Sequence, residues 1–228
     1  MGTQEAQKGG SGTHGGRTGV HGARCIALVG PFASGKTSLF EAILARTGTI
    51  TRPGTIAAKS TVGDASPEAR DHAMSVGLNV ADVTFLDETF TFIDCPGSVE
   101  FAHEGALALA ACDAAVVVCE PDPKRVPALQ MILKRLDEIG LPHLLFLNKI
   151  DSCTTQVRDI VPSLQPASAK PLVLRQIPIW ENGIATGFVD LASERAYVYR
   201  EHAESQIIEL PSAIEMREKE ARFQMLEK

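Results

Sequence analysis

The sequence contains no pair of cysteines in CxxC spacing and no continuous apolar stretch long enough to span a membrane. Because close pairs are missing, we interpret its five cysteines as free thiols of a reducing compartment, not as metal ligands or disulfides. No signal peptide is visible in the first residues either. These absences predict a cytoplasmic protein that does not associate with a membrane.

Positive charge is also scarce, since 22 Lys and Arg residues against 28 Asp and Glu residues give a formal net charge of −6. This balance argues against a chain that holds a nucleic-acid backbone by itself, so we expect no direct sequence-specific nucleic-acid binding. Docking on a large ribonucleoprotein through a local patch stays open. Hydrophobic residues make up 44% of the chain, which is enough for a core of ordinary size.

The composition divides the chain into three parts. Residues 1–23 hold eight of the 19 glycines and few large apolar side chains, which predicts a disordered glycine-rich tail. In residues 24–153, short apolar runs alternate with segments whose apolar residues have helical spacing, and we interpret this part as the core domain. Residues 154–228 are first interrupted by prolines and then carry further strand patterns, which predicts a small α/β insertion that ends in a charged helix.

The order of the predicted elements indicates the fold class. Short apolar runs predict strands at 25–29, 78–85, 90–94, 114–119 and 144–147. Helical spacing predicts helices at 37–46, 101–111 and 127–139, and residues 47–77 have no period and predict a long surface loop. Because strands and helices alternate, we expect an α/β fold with a doubly wound, mostly parallel sheet.

The predicted insertion carries its own elements. Strands are expected at 172–179, 188–191 and 195–199, and both tyrosines and the single tryptophan lie in this part. Ser212 and Glu215 have the spacing of a capping box, which predicts that the last helix begins there.

A phosphate-binding loop of the form GxxxxGK[ST] follows the first predicted strand: Gly30-Pro31-Phe32-Ala33-Ser34-Gly35-Lys36-Thr37. Glycines let the backbone approach phosphate closely, and successive N–H groups at the start of the next helix bind the anion. In such a P-loop Lys36 reaches the β- and γ-phosphates and the Thr37 hydroxyl binds Mg²⁺. We therefore predict a nucleoside triphosphate site, with these loop contacts: Gly30, Ala33, Ser34, Gly35, Lys36, Thr37 and Ser38.

A DxxG motif, Asp94-Cys95-Pro96-Gly97, lies at the end of the predicted strand 90–94. Ligands of doubly wound sheets bind at the carboxyl ends of the strands, so this motif is placed to meet the nucleotide. A carboxylate at Asp94 can hold Mg²⁺ through water, and Gly97 can offer its N–H to the γ-phosphate without a side chain in the way. Because it fixes only two of four residues, this motif by itself is weak evidence for a nucleotide site. Its position after a P-loop and before an NKxD motif makes it specific.

An NKxD motif, Asn148-Lys149-Ile150-Asp151, follows the predicted strand 144–147. A carboxylate at Asp151 can accept hydrogen bonds from N1–H and the 2-amino group of guanine, and adenine offers no donor at either position. Asn148 would contact the base and brace the phosphate loop, and the stem of Lys149 would cover one face of the base. The motif therefore predicts GTP and GDP as ligands.

In their order and context these motifs resemble the translational GTPases, and elongation factor G in particular. Further similarity lies in three stretches: Val99-Glu100-Phe101, Leu141-Pro142 before the NKxD strand, and Gln176-Ile177-Pro178-Ile179 with Gly187-Phe188-Val189-Asp190-Leu191. The resemblance covers about residues 24–228. It implies a P-loop NTPase fold, Mg²⁺ as cofactor, and GTP hydrolysis that switches conformation during translation on the ribosome. It also implies a longer factor of which this chain is the beginning, and we expect a monomer.

Three positions depart from the family pattern. Ala33 stands where the family has an Asp associated with a monovalent cation, and Ser98 stands where it has a His that positions the attacking water. Ser75 falls at the family's metal-binding threonine of switch I, so the metal ligands expected are Thr37, Ser75 and Asp94. The catalytic residues expected are Lys36, Gly97 and Ser98, and the missing His predicts slow hydrolysis.

Two alternatives to a GTPase follow from these residues. The first is a non-hydrolysing module that uses GTP as a structural ligand, which Ala33 and Ser98 favour. The second is a different P-loop enzyme, such as a kinase or an ATPase, which Asp151 disfavours. Residues 167–170 also spell the fifth guanine motif, SAK, but no apolar run precedes them, and we interpret this match as coincidence.

Overall fold

The computed structural model describes residues 24–63, 66–72, 75–98, 102–152, 157–200 and 203–227. The predicted tail at 1–23 and the stretch Val99-Glu100-Phe101 lie outside the described residues. The elements of the first part are these: β1 Arg24–Val29, α1 Lys36–Arg46, α2 Pro67–His72, β2 Asn79–Phe85, β3 Glu88–Asp94, α3 Ala102–Leu109, β4 Ala114–Cys119, α4 Val126–Glu138 and β5 His143–Leu147. The strands and helices predicted for the core are all present, with ends that differ by at most a few residues.

Five strands form one sheet in the order β2-β3-β1-β4-β5. Strand β1 pairs in parallel with β3 and β4, and β4 pairs in parallel with β5. Only β2 is antiparallel to its neighbour, β3. The expected α/β fold with a mostly parallel sheet is therefore confirmed, and the parallel strands place their carboxyl ends at one edge.

Apolar residues on both faces of this sheet explain why it is doubly wound. Leu28 of β1 packs with Phe40 and Leu44 of α1 on one face. Its neighbours Ala27 and Val29 point to the other face, because successive strand residues alternate sides. There they join a larger cluster with residues from α3, α4 and the helix α5 at Val157–Leu164. The central strands β1 and β4 are thus covered on two sides, as their continuous apolar runs indicate.

Two details of the loops differ from expectation. The segment 47–77 contains a short helix, α2, where an aperiodic loop was predicted. The turn between β2 and β3 has only two residues, Leu86 and Asp87, and both adopt positive φ angles of 52° and 61°. Such a turn matches the right-handed twist of the paired strands, so β3 begins two residues earlier than the hydrophobic pattern predicted.

The second sheet is antiparallel and has the order β6-β7-β8-β9. Its strands are Gln176–Glu181, Ile184–Asp190, Arg195–Val198 and Gln206–Ile208, and helix α6 spans Ser212–Leu226. One face of this sheet buries Ile179, Val189 and Ala196, and Ile214 of α6 packs against them. The predicted strand at 172–179 was wrong over its first residues, and β9 was not predicted.

Of two further predictions in this part, the first was wrong, and the second was confirmed for the start of the helix but not for its cap. Helix α5 forms across Pro162, although the prolines were expected to interrupt regular structure. The apolar residues Ile160 and Leu164 bury against the core cluster, and this burial outweighs the helix bond that proline cannot donate. Ser212 does not cap α6, since the N-cap is Pro211 and no side-chain cap bond is present there. Within the described ranges, none of the helices is both long enough and apolar enough to cross a membrane.

Candidate nucleotide-binding site

The predicted motifs meet at the carboxyl edge of the first sheet. The P-loop follows β1, the DxxG motif begins at the last residue of β3, and the NKxD motif follows β5. Since β1, β3, β4 and β5 run in parallel, these loops all emerge at the same edge. That edge is where open α/β sheets bind their ligands.

The P-loop is held in a tight conformation that its glycines permit. Gly35 has a φ of 97° and forms the N-cap of α1 without a side-chain cap bond, which leaves the first helical N–H groups for an anion. A Cβ at Gly35 would lie 2.2 Å from Nδ2 of Asn148. A Cβ at Gly30 would lie 2.1 Å from the carbonyl oxygen of Val118. A side chain at Gly30 would therefore collide with backbone, and one at Gly35 would be strained by the positive φ and would displace Asn148.

Ala33 occupies the left-handed region with a φ of 60°, which is unusual for a residue with a side chain. The loop backbone therefore carries strain at the position where the resembling family has Asp. Ser34 is 1% exposed, and its hydroxyl has no hydrogen-bond partner among the described residues. Ser38 lies exposed in the first turn of α1, directly after Thr37. A buried hydroxyl without a partner inside a phosphate loop fits a loop built around an anion.

Lys36 points back over the loop rather than into solvent. It is only 6% exposed, and its Nζ donates to the carbonyl oxygens of Gly30 at 3.2 Å and Pro31 at 3.1 Å. The ammonium group is thus held at the mouth of the loop, where phosphate oxygens can take over as acceptors.

Of the three predicted metal ligands, Thr37 lies within hydrogen-bond distance of both of the others, Asp94 and Ser75. The Thr37 hydroxyl donates to Oδ2 of Asp94 at 2.7 Å, and its oxygen lies 3.1 Å from the hydroxyl oxygen of Ser75. Asp94 is fully buried. Mg²⁺ prefers hard oxygen ligands, usually one or two protein groups together with phosphates and waters. The donor set therefore fits this ion, although no group of three or more His, Cys, Asp or Glu side chains occurs in the described part of the chain.

Gly97 lies against both the P-loop and Lys36. A Cβ built there would approach Nζ of Lys36 to 2.4 Å and the backbone of Phe32 to 3.0 Å. The DxxG loop therefore sits directly over the phosphate loop, at the position expected of a γ-phosphate contact. Ser98 follows and is partly exposed.

The NKxD motif is tied to the P-loop across the sheet edge. Asn148 donates from Nδ2 to the carbonyl oxygen of Ser34 at 2.9 Å, the bracing contact that was predicted. Lys149 donates from Nζ to the carbonyl oxygen of Ala33 at 2.7 Å and forms an ion pair with Glu120. Asp151 lies exposed in a single 3-10 turn, Ile150–Ser152. The exposed carboxylate is available to a base that enters from solvent.

Two charged residues in this region were not predicted from the sequence. Glu41 on α1 is fully buried, and its carboxylate accepts from the backbone N–H of Gly54 at 2.8 Å and of Val62 at 2.5 Å. It lies one helical turn after Thr37 and therefore on the same side of α1. The sequence did contain a signal for Glu41, because it is a charged residue between the apolar helix positions Phe40 and Leu44. The second residue, Glu120, directly follows β4.

Burial also affects the thiols beside the site. Desolvation, together with the negative charge of the neighbouring Asp94, raises the pKa of Cys95 to about 12. Desolvation, with a smaller effect of Glu120, raises the pKa of Cys119 to about 12 as well. Both thiols are buried at the ends of β3 and β4 and stay protonated near neutral pH.

The SAK sequence at 167–170 lies away from this edge. Lys170 forms an ion pair of 2.5 Å with Asp137, which belongs to the last turn of α4. Helix α4 starts after the carboxyl end of β4 and returns to the amino end of β5, so its last turn is at the opposite edge of the sheet. The structure thus agrees with the interpretation of this match as coincidence.

Comparison with known proteins gives a consistent result. The family model of the elongation factor Tu GTP binding domain matches residues 21–213. An elongation factor G-like protein from Synechocystis is 40% identical over 204 residues, which are 90% of this chain and 30% of that protein. Elongation factor G 2 from Streptomyces coelicolor is 29% identical over 182 residues, or 80% of this chain and 26% of that protein.

A solved structure agrees as well. A protein from Thermus thermophilus superposes with a TM-score of 0.79 at 30% identity, and the match covers 90% of this chain and 31% of that protein. The chain spans about a third or less of the length of these relatives. Because the family model covers most of the chain, and the motifs that it describes meet at one edge of the sheet, the chain belongs to the elongation factor Tu GTP-binding domain family.

Proposed function

We propose that residues 24–153 bind GTP with Mg²⁺ and hydrolyse it slowly, and that they form the GTP-binding core of a longer, monomeric, cytoplasmic factor similar to elongation factor G. The single observation that supports this most is the meeting of Thr37, Asp94 and Ser75 beside Lys36. These residues come from three separate segments of the chain. Hydroxyl and carboxylate oxygens next to a phosphate loop are suited to a metal ion bound to a triphosphate.

In this proposal each residue has a defined role. Lys36 leaves the carbonyl oxygens of the loop and neutralises the β- and γ-phosphates. Thr37, Ser75 and Asp94 would hold Mg²⁺, which would supply charge neutralisation on the same phosphates. The N–H of Gly97 contacts the γ-phosphate. Residues 75 and 97 belong to segments that would relax when the γ-phosphate leaves, which gives the protein two conformations.

Base recognition is assigned to the NKxD loop. Asp151 accepts two hydrogen bonds from guanine, and Asn148 contacts the base from the position fixed by its bond to the Ser34 carbonyl oxygen. The stem of Lys149 covers one face of the ring. Adenine has no donor at N1 or at C2, so ATP would leave the carboxylate charge unpaired and is rejected.

The hydrolysis step is expected to be slow because Ser98 replaces the residue that positions water in the resembling family. A group that positions water or transfers a proton contributes about 10²–10⁴-fold to a rate. The hydroxyl of Ser98 can orient a water molecule but is a poor base near neutral pH. The alternative is a module that binds GTP without hydrolysing it, and the same substitution favours it. The role on the ribosome is proposed from the family resemblance.

Two measurements on the full-length protein test this proposal. Titration with fluorescent GDP and GTP analogues should give saturable signals that GTP displaces and a hundredfold excess of ATP does not, and the GTP signal should require Mg²⁺. Single-turnover phosphate release, with and without ribosomes, then separates the two alternatives. Release that ribosomes accelerate supports a GTPase, and no release under either condition supports the non-hydrolysing module. Equal displacement by ATP would refute the guanine site itself.

A further inference from the structure

Glu120 joins the nucleotide site to the strand beside it. It directly follows β4 at the carboxyl edge of the sheet, and its side chain is only 14% exposed. One carboxylate oxygen pairs with Nζ of Lys149, and the other lies 3.3 Å from Nε of Arg125. A largely buried carboxylate of this kind is stabilised by the cations that its oxygens face.

The contact of Glu120 with Lys149 completes a short chain of polar contacts to the P-loop. Nζ of Lys149 also donates to the carbonyl oxygen of Ala33 at 2.7 Å. The ammonium group is therefore held between an acceptor on the P-loop and an acceptor after β4. Lys149 itself has a φ of 56°, a left-handed conformation that is uncommon for a residue with a side chain. Its aliphatic stem spans the gap between the two loops.

A lysine side chain has four rotatable bonds, and its freedom must be lost if its stem is to cover the base. Groups that are already ordered before the ligand arrives do not lose this freedom on binding. The carboxylate of Glu120 restricts the ammonium group to one position in the free protein. Ala33 alone would not do so, because one neutral acceptor binds an ammonium group more weakly than a carboxylate does.

We propose that Glu120 is a positioning residue for guanine nucleotides, which acts through Lys149 by fixing its stem over the place where the base binds. This inference rests on the proposed function, because it assigns a support to the base-binding side of the same site. Glu120 touches no atom of the nucleotide. Its contribution concerns the base and the P-loop and not the γ-phosphate, so it should be equal for GDP and GTP.

The experiment is a double-mutant cycle read by isothermal titration with GDP and with GTP in the presence of Mg²⁺. The variants are Glu120→Gln, Glu120→Ala, Lys149→Met and the double variant Glu120→Ala with Lys149→Met. We expect Glu120→Ala to raise the Kd for GDP and for GTP by the same factor, about tenfold, since a charged hydrogen bond is lost. Glu120→Gln keeps an acceptor without the charge and should give a smaller loss. In the Lys149→Met background, removal of Glu120 should change neither Kd.

Arg125→Met serves as the matched control, because it removes the other cation from Glu120 and leaves the pair with Lys149. It should bind GDP within about twofold of the unchanged protein. Melting temperatures measured without nucleotide show whether each variant is folded, and the comparison within the cycle cancels a general loss of stability. If Glu120→Ala fails to fold, Glu120→Gln replaces it in the cycle, because the amide keeps the shape of the side chain and removes its charge.

Three results would overturn the inference. They are an unchanged Kd in Glu120→Ala, losses that add in the double variant, and a loss in Arg125→Met equal to that in Glu120→Ala. If the unchanged protein binds neither GDP nor GTP, the proposed function fails. If it binds both and Glu120→Ala binds them equally well, only the role of Glu120 fails.

Discussion

The hydroxyl of Thr37 donates a 2.7 Å hydrogen bond to the buried carboxylate of Asp94, 57 residues later in the chain. Thr37 lies in the first turn of the helix that follows the P-loop, and Asp94 ends the neighbouring strand β3. The bond therefore joins the loop assigned to the phosphates with the loop assigned to the γ-phosphate. A metal ion that binds beside these two oxygens would replace the hydrogen bond between them.

Thr37→Ala should weaken Mg²⁺-dependent GTP binding, because it removes one of the oxygen ligands and leaves Asp94 without this donor. We expect the Kd for GTP with Mg²⁺ to rise about tenfold or more, as for the loss of a bond to a charged group. Binding without Mg²⁺ should change much less. Thr84→Ala, at an exposed position of β2, is the control and should match the unchanged protein. Equal losses with and without Mg²⁺ would contradict the assignment of Thr37 to the metal.

Asp151→Asn should change base preference rather than abolish binding. The amide of Asn can donate a hydrogen bond to the 2-oxo group of xanthine. With guanine, the same NH₂ group would face the 2-amino group, so two donors would oppose each other. We expect the Kd for GDP to rise about a hundredfold and that for xanthosine diphosphate to fall below it. Asp122→Asn is the matched control, since this half-buried aspartate accepts from the N–H of Lys124 at 3.0 Å, a bond that the oxygen of an amide can also accept. An unchanged preference would show that Asp151 does not read the base.

Gly97→Ala and Gly105→Ala add the same methyl group, but we expect the first to weaken GTP binding and the second to stabilise the fold. At Gly97 the new Cβ would lie 2.4 Å from Nζ of Lys36 and 3.0 Å from the backbone of Phe32, so the DxxG loop must shift. At Gly105, inside α3, it would meet only Cβ of Cys95 at 3.8 Å, an ordinary contact.

We expect Gly105→Ala to increase the free energy of unfolding by about 0.5–1 kcal/mol, as helix propensity predicts. Gly97→Ala should lower the affinity for GTP more than that for GDP, because the γ-phosphate side is displaced. Titration with both nucleotides and denaturant unfolding measure these effects. Equal GTP affinity in the two variants would argue against the position assigned to Gly97.

Glu41→Gln should loosen the loop that follows α1. The carboxylate accepts from the N–H groups of Gly54 and Val62, and in the amide one acceptor oxygen becomes an NH₂ group that faces a donor. We expect a loss of about 2 kcal/mol in the free energy of unfolding, since hydrogen bonds to a buried charge are among the stronger ones. Hydrogen exchange at these two amides should accelerate. Glu68→Gln in the exposed first turn of α2 is the control, and protected amides in Glu41→Gln would contradict the anchoring role.

The buried thiols predict a loss of stability at high pH. The pKa of Cys95 and that of Cys119 are raised from 9.0 to about 12 in the folded protein, chiefly by burial. Between these values the unfolded chain releases the thiol protons and the folded chain keeps them. The free energy of unfolding should therefore fall as pH rises from about 9 to about 12, by up to about 1.4 kcal/mol per pH unit for each thiol. Below pH 9 these thiols should add no pH dependence.

Urea unfolding at pH 8, 9, 10 and 11 measures this effect. In Cys119→Ala the free energy of unfolding should fall less steeply above pH 9, because only one of the two thiols remains. The variant should also be less stable at every pH, because the substitution leaves a small cavity. An identical slope in the variant would show that Cys119 does not contribute. Lysine and tyrosine side chains also titrate in this range, so the difference between the two proteins carries the conclusion.

The sequence by itself determined the order of the core elements and the positions of the three motifs. Hydrophobic periodicity and glycine are local properties of the chain, and they located β4 at Ala114–Cys119 and α1 within one residue of its observed start. The phosphate loop and the NKxD loop could be recognised because their chemistry needs fixed residue types at fixed spacing. No three-dimensional information was needed for this.

Tertiary structure decided which side chains support these motifs. The NKxD motif predicted that Asn148 braces the P-loop, and the fold brings it to the Ser34 carbonyl oxygen across 114 residues. Glu120 reaches Lys149 across 29 residues, and no local pattern specifies that contact. Packing also decided the elements that local rules misjudged. Helix α5 forms despite Pro162 because Ile160 and Leu164 gain burial in the core, and α6 begins at Ser212 without its side-chain cap. Local propensities are worth about 1 kcal/mol or less per residue, whereas burying one large apolar side chain is worth about 1.5–3 kcal/mol, so packing prevails where the two disagree.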